Sequence, residues 1–313
     1  MGQLAGRVGV GLKYTILCIY LIAVVFPMFW VFYTSAKSTQ EIYKNPFGLP
    51  RVITSPSAAN AHTLVENYKR AWIGSHFSRY FVNSLKVVSI SLVLILLFGS
   101  MASYALARFE FFGKNFLYLL FLAGLLIPMQ LILIPLFFQF SDMGEWLTKA
   151  IAPLGNMLSG GKGTWVVSLH DSHAGLIIIY VAASLPFTVF TLTAFFRTLP
   201  NELREAAMID GAGEYRIFFQ VMMPLGKPGL VTVAIFNFLG LWNEYLFGLV
   251  FLNSDSAKTL PLGLASISMQ AQYKSDFGLM FAGLVIAMLP TLLVYMILQE
   301  KLTKGITVGA IKG

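Results

Sequence analysis

Four residues whose side chains could bind a solute lie close together in one apolar stretch of this chain. Trp242, Asn243 and Glu244 follow one another there, and Asn237 lies two helical turns before Glu244. Because such positions share a face of an α-helix, the spacing predicts one polar stripe that contains Asn237 and Glu244. Amides, a carboxylate and an aromatic ring can bind a sugar through hydrogen bonds and ring stacking. The same groups also form hydrogen bonds between membrane helices, and both interpretations stay open.

Two other groups of residues resemble metal or nucleotide sites only in part. His170 and His173 have the spacing of a metal-binding pair, but no third ligand accompanies them in a motif. A phosphate-binding loop requires G-x-x-x-x-G-K followed by Ser or Thr. Around Gly161, the first glycine is replaced by Asn156 and the hydroxyl residue by Gly163. We therefore expect no catalytic residue, no metal and no cofactor bound by this chain.

The composition indicates a membrane protein. Hydrophobic residues make up 57% of the 313 residues and charged residues only 12%, against about 25% charged residues in an average soluble domain. Phenylalanine, with 27 residues, outnumbers lysine and arginine together, with 22. These proportions exclude a soluble enzyme and a disordered chain. The basic residues behind the net charge of +8 are scattered singly, which favours membrane contact over nucleic-acid binding.

Six apolar runs are long enough to cross a bilayer as helices, because a hydrocarbon core of about 30 Å needs roughly 20 residues. They cover about residues 12–34, 83–107, 116–140, 174–196, 229–252 and 278–299. The sequence therefore predicts an all-α integral membrane protein with one membrane domain over residues 1–313. Prolines inside the runs are expected to bend their helices, namely Pro128, Pro135, Pro186 and Pro290. With six spans, the basic residues divide evenly between the two sides of the membrane. Charge alone therefore leaves open which side the termini occupy.

The connection between the fourth and fifth runs, residues 198–224, has the pattern of helix rather than loop. Thr198 or Asn201 can cap a first helix, because their side-chain oxygens can accept from backbone N–H groups. Gly211 and Gly213 are expected to end this helix in left-handed turns. The pattern predicts a helix–turn–helix between two spans.

A second short helix is expected over about 214–222, ending before Pro224. Ala206 and Ala207 give the first helix a small face, which allows close docking into a groove on another protein.

This segment resembles the cytoplasmic coupling loop of ABC importer permeases, whose pattern is E-A-A, three residues, G, nine residues, and I-x-L-P. The chain keeps every spacing of that pattern, with Glu205-Ala206-Ala207, then Met208, Ile209 and Asp210, then Gly211, and later Val221-Met222-Met223-Pro224. Its two departures, Val for Ile and Met for Leu, stay apolar. The chain as a whole is similar to the second, six-span permease of maltose-type carbohydrate importers.

The resemblance implies a transport subunit, not an enzyme, of the type I ABC importer fold in the bacterial inner membrane, with both termini in the cytoplasm. It implies four partners: a second permease, a cytosolic ATPase dimer that binds ATP and Mg, an extracytoplasmic substrate-binding protein, and membrane lipid. No nucleic acid is expected. The ATPase contact would involve Glu205, Ala206, Ala207, Asp210, Gly211 and Pro224. The translocation pathway or substrate contact would involve Asn237, Trp242, Asn243 and Glu244.

The sequence departs from the family in the outer connection 141–173, which is longer than usual. It either contacts a partner protein or is a passive surface insertion. Two alternative functions also stay open: an ion-coupled secondary transporter, and an ABC importer for a solute other than a sugar. A secondary transporter generally needs several ionisable groups within its spans, whereas Glu244 is the one acid placed well inside a predicted span here.

Overall fold

The structure, a computed structural model, describes the backbone of residues 2–158 and 168–310, and this part of the chain contains helices and no β-strand. In chain order the α-helices are α1 (Gly2–Thr34), α2 (Thr39–Lys44), α3 (Arg51–Thr54), α4 (Ala58–Lys69), α5 (Phe77–Arg108), α6 (Lys114–Leu126), α7 (Met129–Leu158), α8 (His173–Thr198), α9 (Glu202–Ile209), α10 (Glu214–Ile217), α11 (Met223–Leu225), α12 (Lys227–Trp242), α13 (Leu246–Phe251), α14 (Leu260–Lys274) and α15 (Phe277–Ala310). Two π-helical turns lie at Arg70–Gly74 and Phe218–Met222. The predicted all-α fold is confirmed.

Four helices in the described ranges are long and apolar enough to cross a membrane: α1, α5, α8 and α15. Two bent pairs pass the same test together. The pair α6 and α7 is bent by 106°, and the pair formed by residues 214–225 and α12 is bent by 75°. The number of candidate spans therefore rises to six if each bent pair crosses once.

The predicted third span, 116–140, is not one helix. It is broken between α6 and α7 at Ile127 and Pro128. Ile127 is extended, with φ −83° and ψ 116°, because the ring of a following proline disfavours the helical conformation. Beyond the break, α7 continues to Leu158, so the beginning of the predicted insertion 141–173 is helical; residues 159–167 lie outside the described part.

The predicted fifth span, 229–252, is also interrupted. α12 ends at Trp242 and α13 begins at Leu246, so Asn243 and Glu244 lie between two helices. Their side chains bond to the backbone here: the Asn243 amide donates to the carbonyl of Leu239 at 2.8 Å, and Glu244 accepts from two N–H groups of α13. Such side-chain bonds compete with the helical ladder. The prediction of one continuous polar stripe from Asn237 to Glu244 is therefore wrong.

The chain forms two compact units, residues 1–78 with 263–289, and residues 79–262 with 290–313. In the first unit, the long connection after α1 is ordered around the fully buried Lys37. The Lys37 ammonium donates to the carbonyls of Asn45 and Pro46, both at 3.1 Å, and the buried Asn67 amide donates to the carbonyls of Ser35 and Lys37. Burial lowers the pKa of Lys37. This connection is folded structure rather than a loose loop.

Candidate functional site

The coupling loop, residues 198–224, lies in the second unit and folds as the predicted helix–turn–helix. α9 is followed by a turn in which Gly211 has a left-handed φ of +78°, as expected. Gly213 does not share this conformation: it is extended, with φ −73° and ψ 161°, and precedes α10. The second helical stretch passes through Pro224 to Leu225, because a proline in the first turn of α11 has no N–H to pair.

The predicted capping of α9 is not observed. Asn201 stands at the N-cap position, but its side chain makes no capping bond and instead accepts from Arg108. The Thr198 hydroxyl donates to the carbonyl of Phe195 at 2.7 Å. Both side chains therefore bond outside α9, and the start of this helix is fixed by its contact with α5.

One face of the coupling loop is exposed and largely apolar. Ile209 is 86% exposed and Tyr215 is 77% exposed, and Leu203 and Met208 are also exposed. Five of the six predicted ATPase-contact residues are exposed as well: Glu205, Ala206, Asp210, Gly211 and Pro224. The sixth, Ala207, is half-buried. An apolar patch with polar residues around it is typical of a protein interaction site.

The opposite face is packed on a buried core. Ala207 and Ala212 contact a cluster of buried side chains from α5, α8, α12 and the coupling loop itself: Tyr104, Leu192, Phe196, Ile217, Phe218, Met222 and Val233. Burying a side chain of the size of Ile217 or Met222 contributes about 1.5–3 kcal/mol. The coupling loop is therefore fixed to two candidate spans, α5 and α8, and to α12 of a bent pair.

A polar cluster joins α9 to α5 beside this core. The guanidinium of Arg204 forms an ion pair with Glu214, and the Tyr104 hydroxyl donates to the same carboxylate at 3.0 Å. Arg204 also lies over the ring of Phe109, 5.3 Å from its centre. The hydrogen bond to Glu214 raises the pKa of Arg204 above its ordinary value, so that this guanidinium stays charged.

Arg108, the last residue of α5, makes a second attachment. Its Nη2 donates to the carbonyls of Phe196 and Leu199, both at 2.7 Å, and its Nη1 donates to Asn201. These carbonyls come from the C-terminal end of α8 and the residue after it, where backbone acceptors lack helical partners. Sequence reasoning missed Arg108, Arg204 and the rest of this polar cluster, because the partners meet only once the helices are packed.

The four predicted pathway residues do not lie together on one face. Asn237 is buried and its amide donates to the hydroxyl of Thr188 at 3.0 Å, which joins α12 to α8. Trp242 is buried and stacks on Phe238 with ring centres 5.7 Å apart. Asn243 has an exposed position at the helix break.

Glu244 is held by three hydrogen bonds. Its carboxylate accepts from the Tyr180 hydroxyl at 2.8 Å, from the N–H of Phe247 at 2.7 Å and from the N–H of Gly248 at 3.2 Å. Tyr180 belongs to α8 and is almost completely buried. Glu244 therefore links α8 to the start of α13, which is the interhelical role that the sequence left open.

The two histidines of the outer insertion are engaged by protein groups. The His170 ring stacks on Phe251 with centres 5.4 Å apart, and its Nε2 is 3.0 Å from the carbonyl of Phe137. The Nε2 of His173 is 3.0 Å from the carbonyl of Ala257. Among residues 10–151 and 168–299, whose side chains the structure describes, no group of three or more His, Cys, Asp or Glu could hold a metal ion.

Comparison with known proteins identifies the class. Residues 95–308 match the family model described as "Binding-protein-dependent transport system inner membrane component". The diacetylchitobiose uptake system permease protein NgcG of Streptomyces coelicolor is 40% identical, over 96% of this chain and 88% of that protein. The trehalose transport system permease protein SugB of Mycobacterium tuberculosis is 33% identical, over 92% of each chain.

A solved structure has the same fold. A chain of a bacterial ABC transporter that imports the acidic polysaccharide alginate superposes with a TM-score of 0.74 and 19% identity, over 95% of this chain and 97% of that one. The predicted permease class and the predicted role as a transport subunit, not an enzyme, are confirmed by these matches. The chain belongs to the family of binding-protein-dependent transport system inner membrane components, the permease subunits of ABC importers.

Proposed function

We propose that this chain is one of two permease subunits of an ATP-driven importer for a small oligosaccharide. A substrate-binding protein delivers the solute at the outer side, and a cytosolic ATPase dimer carrying ATP and Mg supplies the energy. Both termini and the coupling loop lie in the cytoplasm. Support for a sugar comes from the relatives, whose names describe a diacetylchitobiose uptake system and a trehalose transport system.

The observation that carries this proposal is the exposed apolar face of a coupling loop whose other face is buried. Ile209 is 86% exposed although its neighbour Ala207 packs on the core. Burying Ile209 in a groove of the ATPase would contribute roughly 1.5–3 kcal/mol to docking. Ala206 permits close approach of the helix, and Glu205 supplies a charged contact on the same surface.

The helix break at residues 243–245 is the part of this chain that best fits the translocation pathway. Asn243 is exposed there and carries a carbonyl oxygen and an amide that suit a sugar hydroxyl. We infer that Asn243 faces the pathway, whereas Asn237, Trp242 and Glu244 hold the surrounding helices in place. Broken helices commonly form the binding sites of transporters.

The two alternatives are separated by different observations. An ion-coupled secondary transporter does not fit membership in a binding-protein-dependent family. An ABC importer for a solute other than a sugar differs only in its cargo, so the choice between them requires a panel of solutes.

The test uses the complete importer, reconstituted in liposomes with its binding protein. Uptake is measured with radiolabelled diacetylchitobiose, trehalose and maltose, and with glutamine, a dipeptide and phosphate as solutes of other classes. We expect uptake of at least one disaccharide that requires internal ATP. Uptake confined to an amino acid, peptide or phosphate would overturn the sugar assignment.

The docking surface is tested by a matched pair of variants at one position. Ile209→Asp should lose copurification of the ATPase and all uptake, because a carboxylate cannot be buried in an apolar groove without cost. Ile209→Leu keeps the apolar volume and should retain both activities. Normal copurification of the ATPase with Ile209→Asp would place the docking surface elsewhere.

A further inference from the structure

We propose that Arg204, Glu214 and Tyr104 form a joint that transmits movement of α9 to α5. This inference rests on the proposed function, since it assigns a role in coupling to side chains of the same loop. Docking on an ATPase moves α9, but transport requires movement of the spans. Some contact must therefore carry the displacement from α9 to the spans, either the apolar packing of Ala207 on the core or the polar bonds of Arg204.

α9 is a short helix with most of its surface exposed. Of its eight residues, only Arg204 and Ala207 are half-buried, and the other six are exposed. Ala207 makes an apolar contact with the core and has no group that could hold α9 in a given direction. Arg204 is thus the side chain of α9 whose directional bonds reach another element of the fold.

Glu214 shares its carboxylate between the two elements. Arg204 binds it from α9, through the ion pair and through Nε at 3.5 Å from Oε2. Tyr104 binds it from α5, with its hydroxyl 3.0 Å from Oε2. The bonds run from Arg204 through Glu214 to Tyr104. Because charge-assisted hydrogen bonds have well-defined geometry, a displacement of α9 in this direction moves Glu214 and Tyr104 together.

Phe109 packs against two members of the joint, Arg204 and Tyr104. The Arg204 guanidinium lies 5.3 Å from the centre of its ring, and the same ring packs edge-on against Tyr104 at 5.5 Å. Phe109 follows directly after α5, whose last residue Arg108 also binds Asn201 just before α9. α9 is therefore attached to the end of α5 at two polar points, in addition to the apolar contact of Ala207 with the core.

The joint can be broken without unfolding the coupling loop. Arg204 and Glu214 have side chains that are 22% and 39% exposed, and ion pairs with this much solvent contribute little to folding stability. The loop is retained by Ile217, Phe218 and Met222, which are buried in the apolar core. Loss of the joint should therefore leave docking intact and separate ATP hydrolysis from transport.

The experiment measures three quantities on the complete importer in liposomes: copurified ATPase, binding-protein-stimulated ATP hydrolysis, and sugar transported per ATP. Arg204→Gln and Glu214→Gln should copurify and hydrolyse ATP within twofold of wild type. Sugar transported per ATP should fall at least tenfold. Tyr104→Phe removes one bond and keeps the aromatic packing, so it should reduce this ratio two- to fivefold. Arg216→Gln, an exposed charge loss on α10, is the matched control and should change nothing.

The charge-swapped double variant, Arg204→Glu with Glu214→Arg, supplies the decisive arm. It should restore at least a third of the wild-type ratio, since the ion pair is re-formed with the partners exchanged. A wild-type ratio in both single variants, or loss of copurified ATPase in step with uptake, would overturn the joint while the proposed function stands. A wild-type complex that recovers no ATPase and imports no sugar would overturn the proposed function, and the joint with it.

Discussion

The variant Tyr180→Phe deletes only the hydroxyl oxygen of Tyr180 and its proton, and with them the hydrogen bond to Glu244. The carboxylate then keeps the N–H groups of Phe247 and Gly248 and loses the hydroxyl 2.8 Å from Oε2. Interhelical hydrogen bonds in membrane proteins average about 0.6 kcal/mol, with a maximum near 1.7, and charged acceptors lie at the strong end. We therefore expect Tyr180→Phe to destabilise the folded chain by about 1–2 kcal/mol.

Glu244→Gln should have a cost of similar size. The amide retains one oxygen acceptor, which can serve only part of the set of three donors now bound by the carboxylate. An unpaired buried N–H costs roughly 1–3 kcal/mol. Because both variants remove the same contact, the double variant should be less destabilised than the sum of the two, by about 1 kcal/mol.

The assay is a double-mutant cycle on the assembled complex, unfolded by increasing SDS in mixed micelles, with uptake measured on the same preparations. If Glu244 joins helices, Tyr180→Phe and Glu244→Gln should lower stability together, and uptake should fall in both. Wild-type stability with lost uptake in Glu244→Gln, and full uptake in Tyr180→Phe, would refute the interhelical role and place the carboxylate on the solute pathway. Strict additivity in the cycle would show that the bond contributes nothing.

Three further changes test other parts of the structure. Gly211→Asp should abolish uptake while membrane insertion stays normal. The φ of +78° at Gly211 is strained for any residue with a side chain, and the new carboxylate would lie on the exposed face of the coupling loop. Normal uptake would contradict the docking argument. Gly175→Ala should destabilise the complex by about 1–3 kcal/mol, seen as a lower melting temperature, because the new Cβ would lie 1.9 Å from the carbonyl oxygen of Leu169. Burial raises the pKa of Asp171, but N–H donors from residues 253–254 outweigh it and leave the pKa lowered. Its contribution to stability is therefore present above about pH 4 and lost as pH falls through the lower folded pKa, so a pH series of melting curves should show a smaller acid loss in Asp171→Asn.

Hydropathy predicted the apolar runs well and their continuity poorly. Pro128 breaks its run, whereas α7, α8 and α15 continue through Pro135, Pro186 and Pro290. A proline always frees a carbonyl in the preceding turn, but neighbouring groups and small backbone adjustments can satisfy that carbonyl in a packed bundle. Which prolines break a helix therefore depends on tertiary surroundings that a single run of sequence does not contain.

The break in the fifth run, at residues 243–245, contains no proline or glycine that would have predicted it. It arises because Asn243 bonds to a backbone carbonyl of α12, and Glu244 accepts from two backbone N–H groups of α13. These side-chain bonds replace the backbone bonds of a continuous helix. The coupling loop was predicted more accurately, since Gly211 stands at a fixed spacing from the Glu-Ala-Ala segment. The pair Arg204 and Glu214 was missed because it forms only when the turn at Gly211 closes.

The two faces of the coupling loop use almost entirely different residues. Ile209 and Glu205 lie outside, whereas Ile217 and Met222 lie in the core. Substitutions of exposed side chains such as Ile209 therefore leave the packing of the core unchanged. If the outer face docks an ATPase as proposed, exchanging its exposed residues, such as Ile209 and Glu205, should change the choice of ATPase and leave the core packing of Ile217 and Met222 in place.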